Sequence, residues 1–309
     1  MSRSHHDPVG AAPSDSPPRA SIGMPVFNGG AFVADALRSI LSQSFTNFEL
    51  LISDNHSTDS TELICRGFAE RDPRVTYFRQ NRNIGVEANF QNVLSRARGD
   101  CFMWAAADDV WSPEYLEQAV SALDANPDVG FTFPPFRLSS ISLRLTVRRS
   151  ATPFSCIESC DRRNRVIGFA NLHHASHKCN LVYSLFRTHL IRAALRQQAI
   201  SNDGLLSMVV LGMSRGLVLP GHSFQKRYPR LWPGLWQTCL PSAARSLLPR
   251  RSPIMAKALN DASHLCCIHF PEFVREIRMI SEHYAEHQWL DGFKIVAPSL
   301  LNLAEHRHG

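Results

Sequence analysis

Two adjacent carboxylates, Asp108 and Asp109, are the side chains of this sequence best placed to do chemistry. They follow the apolar run 101–104, which predicts a buried strand. Ser112 predicts the N-cap of a helix, and Pro113 predicts its first residue. The two carboxylates would therefore stand at the carboxyl end of a strand, which is where open α/β sheets bind ligands. Carboxylates in that position can hold a divalent cation, and the cation can hold phosphates.

Two other polar clusters follow predicted strands. One is Asp-Asn-His-Ser-Thr-Asp at 54–59, and the other is Asn-Arg-Asn-Ile-Gly at 81–85. Because a parallel sheet brings such loops to one edge, we expect both clusters to meet the Asp108–Asp109 pair. Together they would offer hydrogen-bond acceptors for a nucleoside, the guanidinium of Arg82 for a phosphate, and carboxylates for a metal.

Alternating strand-like and helix-like segments between residues 20 and 135 would position these clusters. Strands are predicted at 20–27, 48–53, 74–78, 101–105 and 129–133, and helices at 32–41, after residue 59, at 87–97 and at 113–123. This order implies an α/β fold with a parallel sheet and helices on both faces. Beyond residue 135 the pattern predicts strands at 141–147, 181–186 and 217–219, helices at 189–197 and 205–211, and mostly helix from 240. The sequence has no GxGxxG motif, which disfavours dinucleotide binding.

The net charge of +6 conceals a strong asymmetry along the 309 residues. Residues 1–130 carry 10 Lys and Arg against 17 Asp and Glu, whereas residues 131–251 carry 18 against 3, a net charge of +15. Such a basic segment favours an anionic partner, which is a phosphate-bearing substrate, an anionic membrane surface or nucleic acid. Since neither aromatic interleaving nor a nucleic-acid-binding motif accompanies the charge, we do not expect nucleic acid.

The remaining composition predicts a globular intracellular chain. Residues 1–19 are rich in Ser, Pro, His and Ala without an apolar core, so we expect a disordered tail rather than a signal peptide. No apolar run is long enough to predict a membrane-spanning helix. The 8 cysteines include no CxxC pair, and we expect reduced thiols in a cytoplasmic protein.

Four segments of the sequence form a characteristic set. They are Pro-Val-Phe-Asn at 25–28, Ser-Ile-Leu-Ser-Gln-Ser at 39–44, the cluster that begins at Asp54, and Asn-Ile-Gly at 83–85. Taken together they resemble the signature of inverting family 2 glycosyltransferases. The resemblance implies an α/β GT-A nucleotide-diphospho-sugar transferase fold, with a mostly parallel central sheet flanked by helices and a mainly helical C-terminal extension. It covers residues 20–230, with a nucleotide-sugar-binding half at 20–135 and an acceptor half at 136–230. Residues 231–309 would form the helical extension.

The resemblance also implies a role for particular residues. Asp54 matches the acidic residue that contacts the nucleobase or ribose, Asp108 matches the second Asp of the metal-binding DxD motif, and Asp203 matches the catalytic base. Lys226 and Arg227 match a basic segment near the diphosphate. The expected nucleotide-sugar-binding set is Pro25, Asn28, Asp54, Asn55, Ser57, Arg82, Asn83, Asp108, Lys226 and Arg227, and the expected metal ligands are Asp108 and Asp109.

The sequence departs from the family pattern at several of these positions. Ala106 replaces the first Asp of DxD, and Asn55 replaces a second acid after Asp54. In the segment 183–187, Ser184 stands where one bacterial branch has Gly, and Pro229 stands where a His often follows the basic segment.

Simpler structural roles are open for some of the candidates. Asp59 and Glu62 have the spacing of a capping box, so Asp59 could cap a helix. Asp109 could cap the next helix or be solvated, and Arg82 could be an ordinary surface residue. Asp203 could form a structural ion pair. The cluster His173, His174, His177 and Cys179 has no common zinc spacing, and surface or acceptor-site histidines are favoured.

The expected activity is transfer of a sugar from a nucleotide-diphosphate donor to an acceptor hydroxyl with inversion. A Mg²⁺ or Mn²⁺ at Asp108 would neutralise charge on the leaving diphosphate, and Asp203 would act as the base. The basic segment suggests a glycan or lipid-linked acceptor in cell-surface polysaccharide synthesis, either free in the cytoplasm or at the inner membrane face. Because Ala106 replaces the first Asp of DxD, the alternative function is that of a catalytically impaired nucleotide-sugar-binding protein of the same fold. A sugar-phosphate nucleotidyltransferase is discounted, since 24–30 contains no basic residue.

Overall fold

The computed structural model describes residues 16–140, 145–148, 152–172, 178–196, 203–221 and 223–228. Its strands are β1 Ala20–Val26, β2 Phe48–Asp54, β3 Val75–Arg79, β4 Cys101–Trp104, β5 Val110–Trp111, β6 Val129–Phe133, β7 Phe136–Ser140, β8 Leu145–Arg148, β9 Leu185–Arg187, β10 Arg215–Val218 and β11 Phe224–Tyr228. The α-helices are α1 Val33–Leu41, α2 Thr61–Ala69, α3 Val86–Arg96, α4 Tyr115–Ala125, α5 Arg162–Asn171, α6 Thr188–Arg196 and α7 Asp203–Met213. Two 3-10 helices span Thr152–Glu158 and Lys178–Tyr183.

The larger sheet has seven strands in the order β10-β6-β9-β4-β1-β2-β3. Its neighbours pair in parallel except at β9, which runs antiparallel to both β4 and β6. Every residue of β2 and β4 is buried, as expected for strands covered on both faces. The predicted α/β architecture, with a mostly parallel central sheet flanked by helices, is therefore confirmed.

A second sheet has four strands in the order β5-β11-β7-β8. The strand β11 pairs antiparallel with β5 and parallel with β7. Because Gln225 stands opposite Val110, the next residues of β11 lie beside Asp109. This pairing brings the predicted basic segment to the predicted metal ligands.

The core lies between the large sheet and its helices and is rich in aromatic side chains. Trp104 is buried, and its ring lies edge-on to Phe102, with 4.9 Å between the ring centres. Trp111 stacks on Phe224 at 4.6 Å. The two tryptophans that flank the Asp108–Asp109 turn thus pack into the core and fix both ends of that turn.

One local prediction is wrong, and another is right only in part. Ser112 does not cap α4, which begins at Tyr115; its hydroxyl donates to the carbonyl of Ser223 at 2.8 Å and fastens the chain to the second sheet. The strand predicted at 181–186 is a 3-10 helix followed by the short β9. The strand β9 pairs antiparallel with the first two residues of β4 and with Phe131 and Thr132 of β6.

The strand predicted at 141–147 is observed only from Leu145, and residues 141–144 lie outside the described residues. The expectations for residues 1–15 of the tail, for the helical region 231–309 and for His173, His174 and His177 also lie outside them, and nothing is described of the Cys179 side chain. Of the helices that the structure describes, none has the length and apolar character needed to cross a membrane.

Candidate active site

The predicted clusters meet at one edge of the large sheet. Val26 at the end of β1 pairs with Asp54 at the end of β2, and Gly23 pairs with Trp104 at the end of β4. Pro25 lies in β1 opposite Ser53. Since the three strands are adjacent and parallel, the loops after them share the same edge, as the sequence predicts.

Asp54 lies beneath the first loop rather than on its surface. The side chain is fully buried. One carboxylate oxygen accepts a hydrogen bond from the amide of Ser57 at 2.9 Å, and the other accepts from the hydroxyl of Tyr77 at 2.7 Å. Burial, together with this acceptor, raises the pKa of Tyr77, which keeps its proton for the bond. The geometry favours a role for Asp54 in shaping the loop, and its contact with a nucleobase or ribose stays a prediction.

Asn28 and Ser57 join the loop after β1 to the loop after β2. The amide of Asn28 donates to the Ser57 hydroxyl at 2.9 Å, and the Asn28 side-chain oxygen accepts from the amide of Thr58 at 2.9 Å. Asn28 has φ of 50°, a left-handed conformation that Asn tolerates better than most residues. Phe27, which the sequence analysis missed, is 50% exposed beside these loops. A large aromatic residue placed directly between a strand and a polar turn was the signal for it.

Asn55 ties the first loop to the second. Its side-chain nitrogen donates to the side-chain oxygen of Asn83 at 3.0 Å and to the carbonyl of Gly85 at 3.2 Å. Its side-chain oxygen accepts from the amide of Ile84 at 2.8 Å. Arg82, in the same loop, is exposed. The first two clusters therefore form one hydrogen-bonded unit that carries an exposed guanidinium.

The capping box predicted for α2 is not formed, because Ser60 rather than Asp59 is the N-cap residue. Asp59 accepts from the amide of Thr61, the first residue of the helix, at 3.0 Å. Glu62 does not reach back to complete the box, because it forms an ion pair with Arg79 at 3.3 Å. Arg79 also donates to the carbonyl of Ser57 at 2.7 Å and so supports the first loop from below.

Asp109 is a fully buried carboxylate, and one of its oxygens accepts no hydrogen bond from the described residues. Its Oδ1 accepts from the backbone amide of Arg227 at 3.1 Å, and its Oδ2 lies 3.8 Å from Nζ of Lys226. Within the described residues no donor forms a hydrogen bond with Oδ2. Burial raises the pKa of Asp109 to about 7, and the charge of Lys226 opposes this rise. Asp109 is therefore neither solvated nor the cap of α4, which begins six residues later.

Asp108 and Asp109 offer carboxylate oxygens, and their role as ligands of a divalent cation stays a prediction. Asp108 is partly exposed, and it is its backbone carbonyl that accepts from the Arg227 side chain. A carboxylate beside an unsatisfied buried oxygen is the kind of oxygen donor set that Mg²⁺ and Mn²⁺ prefer. The described residues include no group of three or more His, Cys, Asp and Glu side chains able to hold a metal. Phosphates and water would have to supply the remaining ligands, as is usual for Mg²⁺.

Lys226 pairs with one metal candidate, and its charge also acts on the predicted base. Its Nζ is 4.7 Å from the ring centre of Tyr183, a contact that the sequence analysis missed. Asp203 is in the first turn of α7, where solvent reaches it. Partial loss of hydration raises the pKa of Asp203. The positive charge of Lys226 opposes this rise. One ammonium therefore acts on both Asp109 and Asp203, and no ion pair of Asp203 is found in the part of the chain that the structure describes.

Arg227 is held by the protein itself. Its guanidinium donates to the carbonyls of Asp108 and Phe32 and pairs with Asp35 of α1 at 3.0 Å. Asp35 was not singled out from the sequence, since nothing local links it to β11. Contact of Arg227 with a diphosphate stays a prediction, and its present partners do not favour it.

The sheet, the joined polar loops and the paired carboxylates form the α/β arrangement that the sequence predicts. A family model described as Glycosyl transferase family 2 matches residues 21–182, which is more than half of the chain. The chain belongs to this family. Family membership supports an enzyme that transfers sugars.

Curated relatives match part of the chain. An uncharacterized protein of Mycobacterium tuberculosis is 37% identical over 118 residues, 36% of this chain and 33% of the relative. The putative glycosyltransferase EpsE of Bacillus subtilis is 33% identical over 111 residues, 36% of this chain and 40% of the relative. A GalNAc(5)-diNAcBac-PP-undecaprenol beta-1,3-glucosyltransferase of Campylobacter jejuni is 31% identical over 115 residues, 37% of this chain and 36% of the relative. The matches span between 33% and 40% of these relatives' lengths.

A solved structure confirms the GT-A fold. It is described as S. aureus TarS 1-349 in complex with UDP-GlcNAc, and it matches with a TM-score of 0.54 at 18% sequence identity. The match covers 69% of this chain and 59% of that chain. The predicted family and fold are therefore both confirmed.

Proposed function

We propose that this chain transfers a sugar from a nucleotide-diphosphate donor to an acceptor hydroxyl, with inversion at the anomeric carbon. The observation that carries the proposal is the position of Lys226, whose Nζ lies 3.8 Å from Oδ2 of Asp109 and whose charge also acts on Asp203. The candidate cation site and the candidate base therefore share one ammonium at the ligand-binding edge of the sheet. Such an arrangement suits a reaction that separates charge between a leaving diphosphate and an attacking hydroxyl.

The donor would lie over the joined loops. The floor would be formed by Pro25, Asn28, Asn55, Ser57 and Asn83. Hydrogen bonds between Asn28 and Ser57 and between Asn55 and Asn83 hold it in shape. The exposed guanidinium of Arg82 is suited to a phosphate, and the exposed ring of Phe27 offers a flat face on which a nucleobase could stack. In this proposal Asp54 acts mainly beneath the floor, by fixing the amide of Ser57.

Asp108 and Asp109 would hold a Mg²⁺ or Mn²⁺. The unsatisfied Oδ2 of Asp109 supports this assignment, since a cation would supply the partner that the described residues do not. When bound, such a cation neutralises charge on a leaving diphosphate. The ammonium of Lys226, on the same side, would add to this neutralisation.

Asp203 would take the proton from the attacking hydroxyl. Its exposure lets an acceptor reach it, and the nearby charge of Lys226 favours the ionised form that a base needs. A single carboxylate that activates the nucleophile, with no second nucleophile on the protein, leads to inversion. Proton transfer of this kind contributes about 10²–10⁴-fold to rate.

The acceptor would be a glycan or a lipid-linked saccharide of a cell-surface polysaccharide. The net charge of +15 in residues 131–251 supports an anionic acceptor such as a lipid diphosphate. It also supports peripheral binding to an anionic membrane from the cytoplasmic side.

The variant Asp203→Asn tests the proposal. We expect the rate of transfer to fall by about 10²–10⁴-fold, while donor affinity measured by calorimetry stays within about twofold of the original. Asp161→Asn is the matched control, because Asp161 is another acid of the basic segment and caps α5, a role that Asn performs equally well. Near-normal transfer by Asp203→Asn would contradict the assignment of the base.

A second candidate is a nucleotide-sugar-binding protein without catalysis. Ala106 stands where the family has the first acid of its metal motif, and this substitution favours it. A thermal-shift panel of nucleotide sugars with and without Mn²⁺, followed by assays of transfer and donor hydrolysis, separates the two. Binding without turnover that becomes turnover in Ala106→Asp would support the second candidate.

A further inference from the structure

The side chain of Arg227 joins three segments that are far apart in the sequence. From β11 its Nε donates to the carbonyl of Asp108, its Nη2 donates to the carbonyl of Phe32 at 3.1 Å, and its Nη1 pairs with Asp35 at 3.0 Å. The guanidinium carbon lies 5.5 Å from the centre of the Phe32 ring, and the side chain is only 11% exposed. The guanidinium thus connects the start of α1 to the turn that carries the paired carboxylates.

The other end of α1 holds the chain just after that turn. The Ser39 hydroxyl accepts from the amide of Trp111 at 3.1 Å. The Gln43 side chain donates to the carbonyl of Ser112 at 2.6 Å and accepts from the amide of Leu116 at 2.9 Å. The turn is therefore held at Asp108 by Arg227, and just after its end by Ser39 of α1 and by Gln43, which follows α1.

Protein partners already occupy Arg227. Each of its three guanidinium nitrogens already has a partner, and the fixed fork of an arginine is suited to several acceptors at once. Lys226, the preceding residue of β11, forms an ion pair with Asp109 and lies against the ring of Tyr183. Arg227 therefore joins separate segments of the protein, whereas Lys226 pairs with the carboxylate of Asp109.

We propose that Arg227 is a positioning residue, which clamps the Asp108–Asp109 turn to the start of α1 and so sets the affinity of the two carboxylates for a divalent cation. The inference rests on the cation site of the proposed function. Groups that hydrogen-bond around metal ligands orient those ligands, and removing them typically weakens metal binding about 10–100-fold. Here the clamp acts through the backbone carbonyl of Asp108.

The sign of the effect separates positioning from simple electrostatics. Arg227 places a positive charge next to the site, so its removal should strengthen cation binding if charge alone mattered. Loss of the clamp should weaken it. Arg227→Met and Arg227→Lys make the distinction, because the first removes the charge and the second keeps it without the fork.

The experiment uses the full chain and Mn²⁺ alone. We expect calorimetry to show Mn²⁺ binding about 10-fold weaker in Arg227→Met, and intermediate in Arg227→Lys. Hydrogen exchange in residues 105–112, measured without metal, should be faster in both variants. Arg38→Met is the matched control: Arg38 also pairs with Asp35, at 2.8 Å, but it is exposed on α1. It should change neither quantity.

Each alternative outcome has a definite meaning. Unchanged or tighter Mn²⁺ binding by folded Arg227→Met would overturn the inference, as would unchanged exchange in residues 105–112. If Arg227→Met lacks a cooperative thermal transition, Arg227→Lys decides, since charge alone predicts no change in that variant. If the unsubstituted chain binds no Mn²⁺, the cation site of the proposed function fails, and the exchange measurement alone then decides the clamp.

Discussion

Asp109 should make the protein less stable as the pH rises, and Asp109→Asn should remove this effect. The buried carboxyl keeps its proton up to about pH 7, whereas its ordinary pKa is 3.8. Between these values the folded state binds more protons than the unfolded state. Raising the pH across this range therefore favours unfolding. An Asn at this position does not titrate, so its contribution is independent of pH.

The size of the effect follows from the shift in the pKa of Asp109. A difference of roughly three units between about 7 and 3.8 corresponds to about 4 kcal/mol of lost stability above pH 7. About 3 kcal/mol of this is lost between pH 5 and pH 8. We therefore expect the free energy of unfolding of Asp109→Asn, relative to the unsubstituted chain, to rise by about 3 kcal/mol over that interval.

Urea unfolding at a series of pH values in the presence of a chelator measures this difference. Gln43→Ala is the control, because glutamine does not titrate and the change in stability that it causes should be independent of pH. Saturating Mn²⁺ should narrow the gap at high pH, since a cation favours the ionised carboxylate of the folded state. The reasoning would be refuted if the free energy of unfolding of Asp109→Asn, relative to that of the unsubstituted chain, stayed constant or fell from pH 5 to pH 8.

Three further substitutions have expected outcomes. Gln43→Ala loses both hydrogen bonds to the chain beyond the carboxylate turn, and urea unfolding should show a loss of about 2 kcal/mol; no measurable loss would contradict it. Asn55→Asp places a carboxylate against the carbonyl of Gly85, so hydrogen exchange of residues 81–85 should become faster. Unchanged exchange would show that Asn55 does not hold the two loops together. Phe27→Ala should weaken donor binding by about 1–3 kcal/mol in calorimetry without lowering stability, and equal affinity would exclude stacking.

The strands and helices of the first half could be predicted because their apolar pattern is local. The buried runs of β1, β2 and β4 and the spacing of α1 are visible in the sequence itself, and a parallel sheet then forces the three polar clusters to one edge. Local signals failed where a distant segment took over. Ser112 has the type and position of a helix cap, but its hydroxyl is used by Ser223 of the second sheet.

The electrostatics of the site could not be predicted from sequence. Asp109 owes its environment to Lys226 and to the amide of Arg227, which lies 118 residues away. The pair of Arg227 with Asp35 joins positions 192 residues apart. The sequence indicated which carboxylates and cations matter, but only the pairing of β5 with β11 shows which cation serves which carboxylate.

The pairing of β5 with β11 has a consequence for how the protein comes into being. During synthesis the ribosome releases the carboxylate turn about 115 residues before its basic partners. Until residues 224–227 emerge, the turn lacks three partners. These are the paired strand β11, the ammonium of Lys226 beside Asp109, and the guanidinium of Arg227 that binds the Asp108 carbonyl. A nascent or truncated chain that ends earlier can fold most of the large sheet but not a finished site. Fragments of the first half should therefore be poor guides to the metal and donor affinities of the whole protein.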